Sequence, residues 1–232
     1  MIDTAAIRDE VSSSGFTIVA DALTHEDLDS LAADIDAASE GARAGIRNLF
    51  QCAASVRSLP RHPAIRSIVK AILGRGAFAV RAILFDKAPE SNWNVPWHQD
   101  VTIAVAQQTG VDGYGAWSNK DGVPHVQPPV AVLEQMLAVR VHVDDCGQQN
   151  GPLRVLPGSH RHGRLDRAAV EDWQRRVSPL LCHVPRGGLV VMRPLLLHSS
   201  LAAEAAHRRR VIHLEFAATE LEPPLTWHEC VF

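Results

Sequence analysis

The chain has 232 residues, a formal net charge of −3 and 46% hydrophobic residues. That length fits one large domain or a core domain with a helical extension, and the composition is ordinary for a globular protein. The small negative charge argues against a general nucleic-acid-binding protein, and no stretch approaches the roughly 20 apolar residues that span a membrane.

The N-terminus and the cysteines indicate the compartment. The first ten residues are acidic and lack the basic flank and apolar run of a signal peptide. The four cysteines lie far apart and form no Cys-x-x-Cys pair, so they support neither a zinc site nor a disulfide framework. We therefore expect a reduced, cytoplasmic protein with neither a nucleic-acid nor a membrane partner, and a homo-oligomer stays open.

The first part of the chain, residues 1–76, is predicted to be a mixed region with helices. Residues 15–19 predict a short strand. Thr24 resembles a helix N-cap, and apolar residues at helical spacing follow it as far as Ile35. A second helix is predicted over residues 63–74, beginning at a proline and ending at a glycine.

From residue 77 the pattern changes to short apolar runs bounded by Pro, Gly and Asn. Strands are predicted over residues 78–87, 101–106, 135–143, 153–156, 188–192, 195–198 and 211–216. Many short strands with turns between them predict a sandwich or jelly roll. The chain lacks the Gly-x-Gly-x-x-Gly and phosphate-loop patterns, which argues against two nucleotide-binding classes. We expect a single domain over residues 1–232.

Two insertions are predicted in this β-rich part. Residues 166–177 predict a helix. Residues 107–130 form a long polar stretch rich in Gly, Pro and Trp, and loops of that length often act as lids or binding loops. Candidate substrate contacts there are Tyr114, Trp117, His125 and Gln127. The alternative is a packed surface insertion.

The strongest chemical signal is His98-Gln99-Asp100 together with His198. Side chains alternate along a strand, so His98 and Asp100 share one face and Gln99 points away. Two imidazoles and one carboxylate are the facial triad of non-haem iron oxygenases, which leaves positions on a ferrous ion open for a cosubstrate and O2. A lone His-x-Asp pair is usually a surface hydrogen bond. The prediction rests on the combination of this pair and the distant histidine with a downstream arginine in a β-rich chain.

Arg209 lies eleven residues after His198, within the basic run 208–210. Such runs are usually solvated, but this one leads into a predicted core strand, where alternation turns at least one arginine inward. A buried guanidinium needs an anionic partner, and a carboxylate binds it in bidentate fashion. Either a structural Asp or Glu or the far carboxylate of a dicarboxylic cosubstrate satisfies it, and the spacing favours the cosubstrate.

These residues and their surroundings resemble the phytanoyl-CoA dioxygenase family of iron(II)/2-oxoglutarate oxygenases. The resemblance covers most of the chain. It is carried by residues 15–19, 85–89, 97–100, 150–160 and 198–200, followed by Arg209. The segment Asn150-Gly151-Pro152-Leu153-Arg154-Val155-Leu156-Pro157-Gly158-Ser159-His160 is the longest and most specific of these.

The resemblance implies a mainly β fold with a helical flank: a double-stranded β-helix, a cupin-like jelly-roll barrel with N-terminal helices packed on one side. It implies that iron is bound by His98, Asp100 and His198. The 2-oxoglutarate pocket would be formed by Arg209, which pairs with the C5 carboxylate, and by Ser200, Ile83 and Arg140. The last of these replaces an aromatic residue that is common in the family, and an arginine there suits either an acidic substrate group or the cosubstrate.

The expected function is therefore an iron(II)- and 2-oxoglutarate-dependent dioxygenase that hydroxylates a C–H bond of a small, polar or carboxylated substrate and releases succinate and CO2. Because Asp100 is present, no carboxylate position is vacant for chloride, which favours hydroxylation over halogenation. Two alternatives stay open: a cupin-type metal-dependent dioxygenase that does not use 2-oxoglutarate, and a non-catalytic jelly-roll binding protein.

Overall fold

The structure, a computed structural model, describes residues 2–38, 45–88, 91–204 and 208–232. It is mainly β with helices, as expected. The α-helices are α1 (Thr4–Ser14), α2 (His25–Ala38), α3 (Ala54–Ser58), α4 (Pro63–Leu73), α5 (Val130–Glu134) and α6 (Arg167–Arg176). The strands of the first half are β1 (Phe16–Val19), β2 (Gly45–Ile46), β3 (Phe78–Lys87), β4 (Val95–His98), β5 (Ile103–Ala104) and β6 (Gly115–Lys120). The remaining strands are β7 (Val123–Gln127), β8 (Met136–His142), β9 (Leu153–Val155), β10 (Leu180–Cys182), β11 (Leu189–Met192), β12 (His198–Ser200) and β13 (Arg209–Ala217).

The described strands form three sheets. A six-stranded sheet has the order β1-β11-β8-β13-β3-β2, a four-stranded sheet the order β10-β9-β12-β4, and a three-stranded sheet the order β5-β7-β6. All the strand pairs are antiparallel. The expected jelly-roll barrel is not closed in the described residues, because no ladder joins the sheets. Most strands of the four-stranded sheet have only three residues, and their few ladder hydrogen bonds are used within that sheet.

The two faces of the six-stranded sheet differ because side chains alternate along each strand. One face packs against the helices in a cluster that joins strand residues to helix residues, among them Leu84, Val139, Ile212, Val11, Leu31 and Ile65. The opposite face turns toward the four-stranded sheet and carries charged side chains near its centre. That second face holds the candidate site.

The N-terminal predictions agree with the structure. The strand over 15–19 is β1, and the helix over 63–74 is α4. Thr24 precedes α2, where its hydroxyl accepts from the amide of Asp27 and the Asp27 carboxylate accepts from the Thr24 amide. This reciprocal pair is a capping box. The sequence analysis did not anticipate α1, which begins with Asp3 accepting hydrogen bonds from two helix amides.

Three later predictions need correction. Residues 107–130, expected as a loop, contain the hairpin β6–β7, because Val123, His125 and Val126 are buried under a polar outer surface. The strand expected over 101–106 is only β5. Residues 195–197, expected as a strand, are buried outside any strand, and β12 begins at His198 itself. The helix expected over 166–177 is α6. In the part of the chain that the structure describes, no helix is long and apolar enough to cross a membrane.

Candidate metal centre

Three predicted ligands lie together between the two larger sheets. One nitrogen or oxygen atom from each of His98, Asp100 and His198 lies within 4.8 Å of the other two. Nε2 of His98 is 3.8 Å from Oδ1 of Asp100, and Nε2 of His198 is 3.6 Å from Oδ2. Among the described residues, this is the group of histidines, cysteines and carboxylates that can hold a metal ion.

The two histidines are positioned by the backbone. His98 and His198 are direct partners across the β4–β12 ladder. The Nδ1 of His98 donates to the carbonyl of Pro96, and that of His198 to Leu196, each at 2.9 Å. Each imidazole is therefore assigned the tautomer that leaves Nε2 free to bind a metal. Burial lowers the pKa of His198 to about 4, so it is neutral at pH 7, as a metal ligand must be.

Asp100 follows β4, and its amide donates to the carbonyl of Pro194. Its Oδ2 is buried and has no hydrogen-bond partner among the described residues. Burial raises the pKa of Asp100, but electrostatic interactions with His198, His213 and His98 outweigh this effect. The net pKa lies below its usual range. A buried, ionised oxygen without a donor fits a cation. Two imidazoles and this carboxylate therefore suit ferrous iron.

Gln99 turns away from the metal ligands, as predicted, and fixes the segment that carries them. Its side-chain amide donates to the carbonyls of Leu195 and Gly163, and its oxygen accepts from the amide of Leu165. The segment before His198 is held in a similar way, because the hydroxyl of Ser159 accepts from the amide of Leu197. Both ligand-bearing segments are thus tied to the 150–165 region by buried polar side chains.

Only Arg209 of the basic run turns inward. Arg208 is exposed and pairs with Asp86, and Arg210 is partly buried and pairs with Asp144, whereas Arg209 is 3% exposed. Its guanidinium donates to the carbonyl of Gly151, and its Nε has no partner among the described residues. No carboxylate of the described chain pairs with it. His207, which precedes the run, and Pro89 of the family segment lie outside the described residues.

Lys87 is a cation that the sequence analysis did not assign. It is the register partner of Arg209 across β3 and β13, and it is 1% exposed. Its Nζ donates to the hydroxyl of Ser200 at 3.1 Å and to the carbonyl of Leu201 at 2.6 Å. Burial, together with the charge of Arg209, lowers the pKa of Lys87 to about 8. Lys87, Arg209 and Ser200 thus gather donors at one end of the site.

A network of buried polar side chains crosses the centre of the same face. His213 on β13 is the register partner of Arg140 on β8 and accepts from its guanidinium at 3.2 Å. Nε2 of His213 lies 3.3 Å from the carboxylate of Glu215, which also pairs with Arg81. Because arginine only donates, His213 must accept at Nδ1 and donate from Nε2. Arg81 in turn contacts Nε2 of His125 at 2.8 Å.

A cavity of about 110 Å³ brings these groups together. All seven predicted site residues line it: His98, Asp100, His198, Arg209, Ser200, Arg140 and Ile83. The lining also contains Lys87, Arg81, His213 and several apolar residues. The four candidate substrate contacts of residues 107–130 lie outside this lining. Trp117 and Tyr114 pack in a neighbouring hydrophobic cluster, Gln127 bonds to Arg164, and His125 is buried.

A larger depression of about 1000 Å³ opens at the surface between Asp144 and Arg210. Its three arginines are paired with carboxylates, some of which lie outside the depression. Arg210 is 2.7 Å from Asp144, and Arg186 is 2.5 Å from Asp29. It holds none of the metal-ligand candidates, so the smaller, more enclosed cavity is the candidate site.

Comparison with known sequences finds a matching family profile and two related proteins. The sequence profile described as phytanoyl-CoA dioxygenase (PhyH) matches residues 11–211. An L-proline trans-4-hydroxylase of Streptomyces griseoviridis is 26% identical over 184 residues, which is 68% of this chain and 61% of that protein. Phytanoyl-CoA dioxygenase domain-containing protein 1 of Mus musculus is 24% identical over 190 residues, 74% of this chain and 56% of that protein. The chain thus spans about three-fifths of the length of these relatives.

Comparison with solved structures supports the fold. The non-haem alpha-ketoglutarate-dependent carbocyclase SnoK from nogalamycin biosynthesis superposes with a TM-score of 0.72 at 15% identity. The superposition covers 93% of this chain and 84% of that one.

Proposed function

The chain belongs to the phytanoyl-CoA dioxygenase family, and from that premise we propose that it is an iron(II)- and 2-oxoglutarate-dependent oxygenase that hydroxylates a C–H bond of a small organic substrate. The observation that carries the proposal is the convergence of His98, Asp100 and His198 beside an inward guanidinium with no carboxylate partner among the described residues. The alternative partner for Arg209 is a structural carboxylate of the chain, and the described residues offer none.

His98, Asp100 and His198 would hold iron through two Nε2 atoms and one carboxylate. The backbone carbonyls that accept from each Nδ1 keep both rings oriented before metal arrives. Such outer partners fix the tautomer and the direction of the lone pair. The buried, unpartnered Oδ2 of Asp100 would gain its missing electrostatic partner in the metal ion.

Arg209, Lys87 and Ser200 would bind the C5 carboxylate of 2-oxoglutarate. The hydroxyl of Ser200 accepts from Lys87, which leaves its own proton free to donate to a carboxylate oxygen. The carbonyl of Gly151 orients the Arg209 guanidinium. Ile83, Phe85 and Leu153 provide apolar walls beside these donors, and they exclude water from the space where the cosubstrate would lie.

Bound iron with 2-oxoglutarate and O2 supplies the oxidising chemistry, which ends in a hydroxylated substrate, succinate and CO2. The residues of the chain bind, orient and exclude water. Asp100 occupies the carboxylate position, and this favours hydroxylation over halogenation. The L-proline hydroxylase relative supports a small polar substrate with a carboxylate.

The remaining expectations belong to the same proposal. The facing six- and four-stranded sheets are the two halves of a double-stranded β-helix, with the helices packed on one side, and residues 1–232 form one oxygenase domain. The described cysteines Cys52, Cys146, Cys182 and Cys230 are all free thiols, which supports a reduced, cytoplasmic location.

Iron content and succinate formation test the proposal. Purified protein reconstituted with ferrous iron should retain one iron per chain and form succinate from 2-oxoglutarate only when iron and O2 are both present. His198→Ala should lose both properties, whereas His183→Ala, which removes an exposed histidine, should keep them. Bound iron without succinate formation under any condition would favour the cupin-type alternative. Failure to retain iron would favour a binding protein.

A further inference from the structure

The cavity holds more positive charge than iron and 2-oxoglutarate require. Its charged lining consists of Arg81, Lys87, Arg140, Arg209 and Asp100, and Arg81 is neutralised by Glu215. Three cations therefore face one carboxylate. Iron(II) and the 2-oxoglutarate dianion bring charges that cancel, so their arrival leaves an excess of two positive charges. Buried cations need anionic partners, and this excess calls for another anion.

Arg140 is a buried cation that forms no ion pair with a carboxylate of the described residues. It is 7% exposed, and its Nε is buried without a hydrogen bond among the described residues. Its guanidinium carbon lies 5.2 Å from the centre of the Phe85 ring, which offers cation–π attraction but no hydrogen-bond acceptor. Burial, the largest effect, and the charge of Arg209 both lower the pKa of Arg140 to about 10, so it is charged at pH 7.

The guanidinium is nevertheless held in place. His213 accepts from one of its nitrogens, Glu215 fixes His213, and Arg81 fixes Glu215. All four side chains are buried. A salt bridge within the chain would have been the simplest way to stabilise Arg140. The guanidinium of Arg140 is instead oriented by the imidazole of His213, so the remaining donors of Arg140 stay available for a ligand.

We propose that Arg140 is the specificity-determining residue that binds a carboxylate of the primary substrate, so that the enzyme acts on small organic acids or amino acids. The inference rests on the proposed function and assigns a residue of the cavity to the substrate carboxylate. Arg209, Lys87 and Ser200 already provide three sets of donors for the C5 carboxylate, and Arg209 lies four residues along β13 from His213, the register partner of Arg140. Arg140 is therefore available for a second carboxylate. His213 is its positioning residue.

Matched acids and amides test the proposal without turnover. The protein is loaded with cobalt(II) and 2-oxoglutarate under argon, and its melting temperature is measured as each ligand is added. The ligands are three pairs of an acid and its amide: propionate and propionamide, benzoate and benzamide, and L-pyroglutamate and its amide. At least one acid should bind about tenfold or more tightly than its amide, the scale of a charge-assisted hydrogen-bond pair. Arg140→Gln should remove that preference and change the 2-oxoglutarate affinity by less than about threefold.

Two further variants separate a local role from general damage. Arg209→Gln should weaken 2-oxoglutarate binding and keep the preference for acids. Arg66→Gln removes a guanidinium that binds two backbone carbonyls outside the cavity and should change neither quantity. The proposal is overturned if no acid is preferred over its amide, or if Arg140→Gln weakens 2-oxoglutarate as much as Arg209→Gln does. A wild-type protein that binds neither metal nor 2-oxoglutarate contradicts the proposed function, on which the role of Arg140 rests.

Discussion

His98 and His198 face each other as register partners of β4 and β12, with ring centroids 4.1 Å apart. The strand ladder therefore holds the two imidazoles together before any metal binds. The Nδ1 atom of His98 donates to the backbone carbonyl of Pro96, and that of His198 donates to the backbone carbonyl of Leu196. A site arranged in this way loses little freedom on binding an ion, and its geometry depends on backbone pairing more than on side-chain packing.

The affinity for 2-oxoglutarate should depend on pH through Lys87. The pKa of Lys87 is lowered to about 8, so its charge is present at pH 7 and is lost as the pH rises through 8. The carboxylate binds the protonated form, and the dissociation constant should therefore rise above pH 8 by at most about tenfold per pH unit. Tryptophan fluorescence, to which Trp93 in the cavity wall contributes, can follow the titration. Lys87→Met should bind weakly at every pH without this alkaline rise, and an unchanged rise in Lys87→Met would refute the assignment.

Gly151 should not tolerate a side chain. Its φ is +59°, and an added Cβ would lie 2.6 Å from the carbonyl oxygen of Leu201. Gly158 has φ of +83° but open space around it. Gly151→Ala should therefore destabilise the protein by about 2–4 kcal/mol and Gly158→Ala by about 1–2 kcal/mol in urea unfolding. Since the Gly151 carbonyl accepts from Arg209, only the first variant should also weaken 2-oxoglutarate binding. Equal effects of both variants on binding would count against that contact.

The Arg81–Glu215 pair should be costly to break singly and cheap to replace as a pair. Both side chains are buried, and each single change leaves a buried charge without its partner. Arg81→Met and Glu215→Leu should each cost about 3–5 kcal/mol, whereas the double variant should recover most of the loss. The exposed pair Arg167–Glu171 is the control, and Arg167→Met should cost less than about 1 kcal/mol. Additive single effects in the double-mutant cycle would contradict the pairing.

Much of the site was predictable because strand alternation is a local rule. It placed His98 and Asp100 on one side of Gln99, and it required one arginine of the run 208–210 to turn inward. The structure agrees on both points. Arg140 and Ile83 were expected from family resemblance and line the cavity, although their roles stay proposals.

Lys87 and the Arg140–His213–Glu215 chain were not predictable from local patterns. A lysine at the end of a strand usually extends its amine into water. Lys87 is buried because β12 and the segment after it bring Ser200 and Leu201 to its Nζ. His213 acquires its role only from the register that sets it opposite Arg140. Long-range pairing decides both cases, and a single sequence does not reveal it.

The central claim, iron and 2-oxoglutarate at one site, is tested most directly by anaerobic spectroscopy. Iron(II)-loaded protein is titrated with 2-oxoglutarate, and the weak visible charge-transfer band of the chelate is measured in the wild type, Asp100→Ala and Arg209→Ala. We expect a band in the wild type, no band in Asp100→Ala, and a band in Arg209→Ala that requires far more 2-oxoglutarate. A wild-type protein that binds iron but shows no band at saturating 2-oxoglutarate would contradict the central claim.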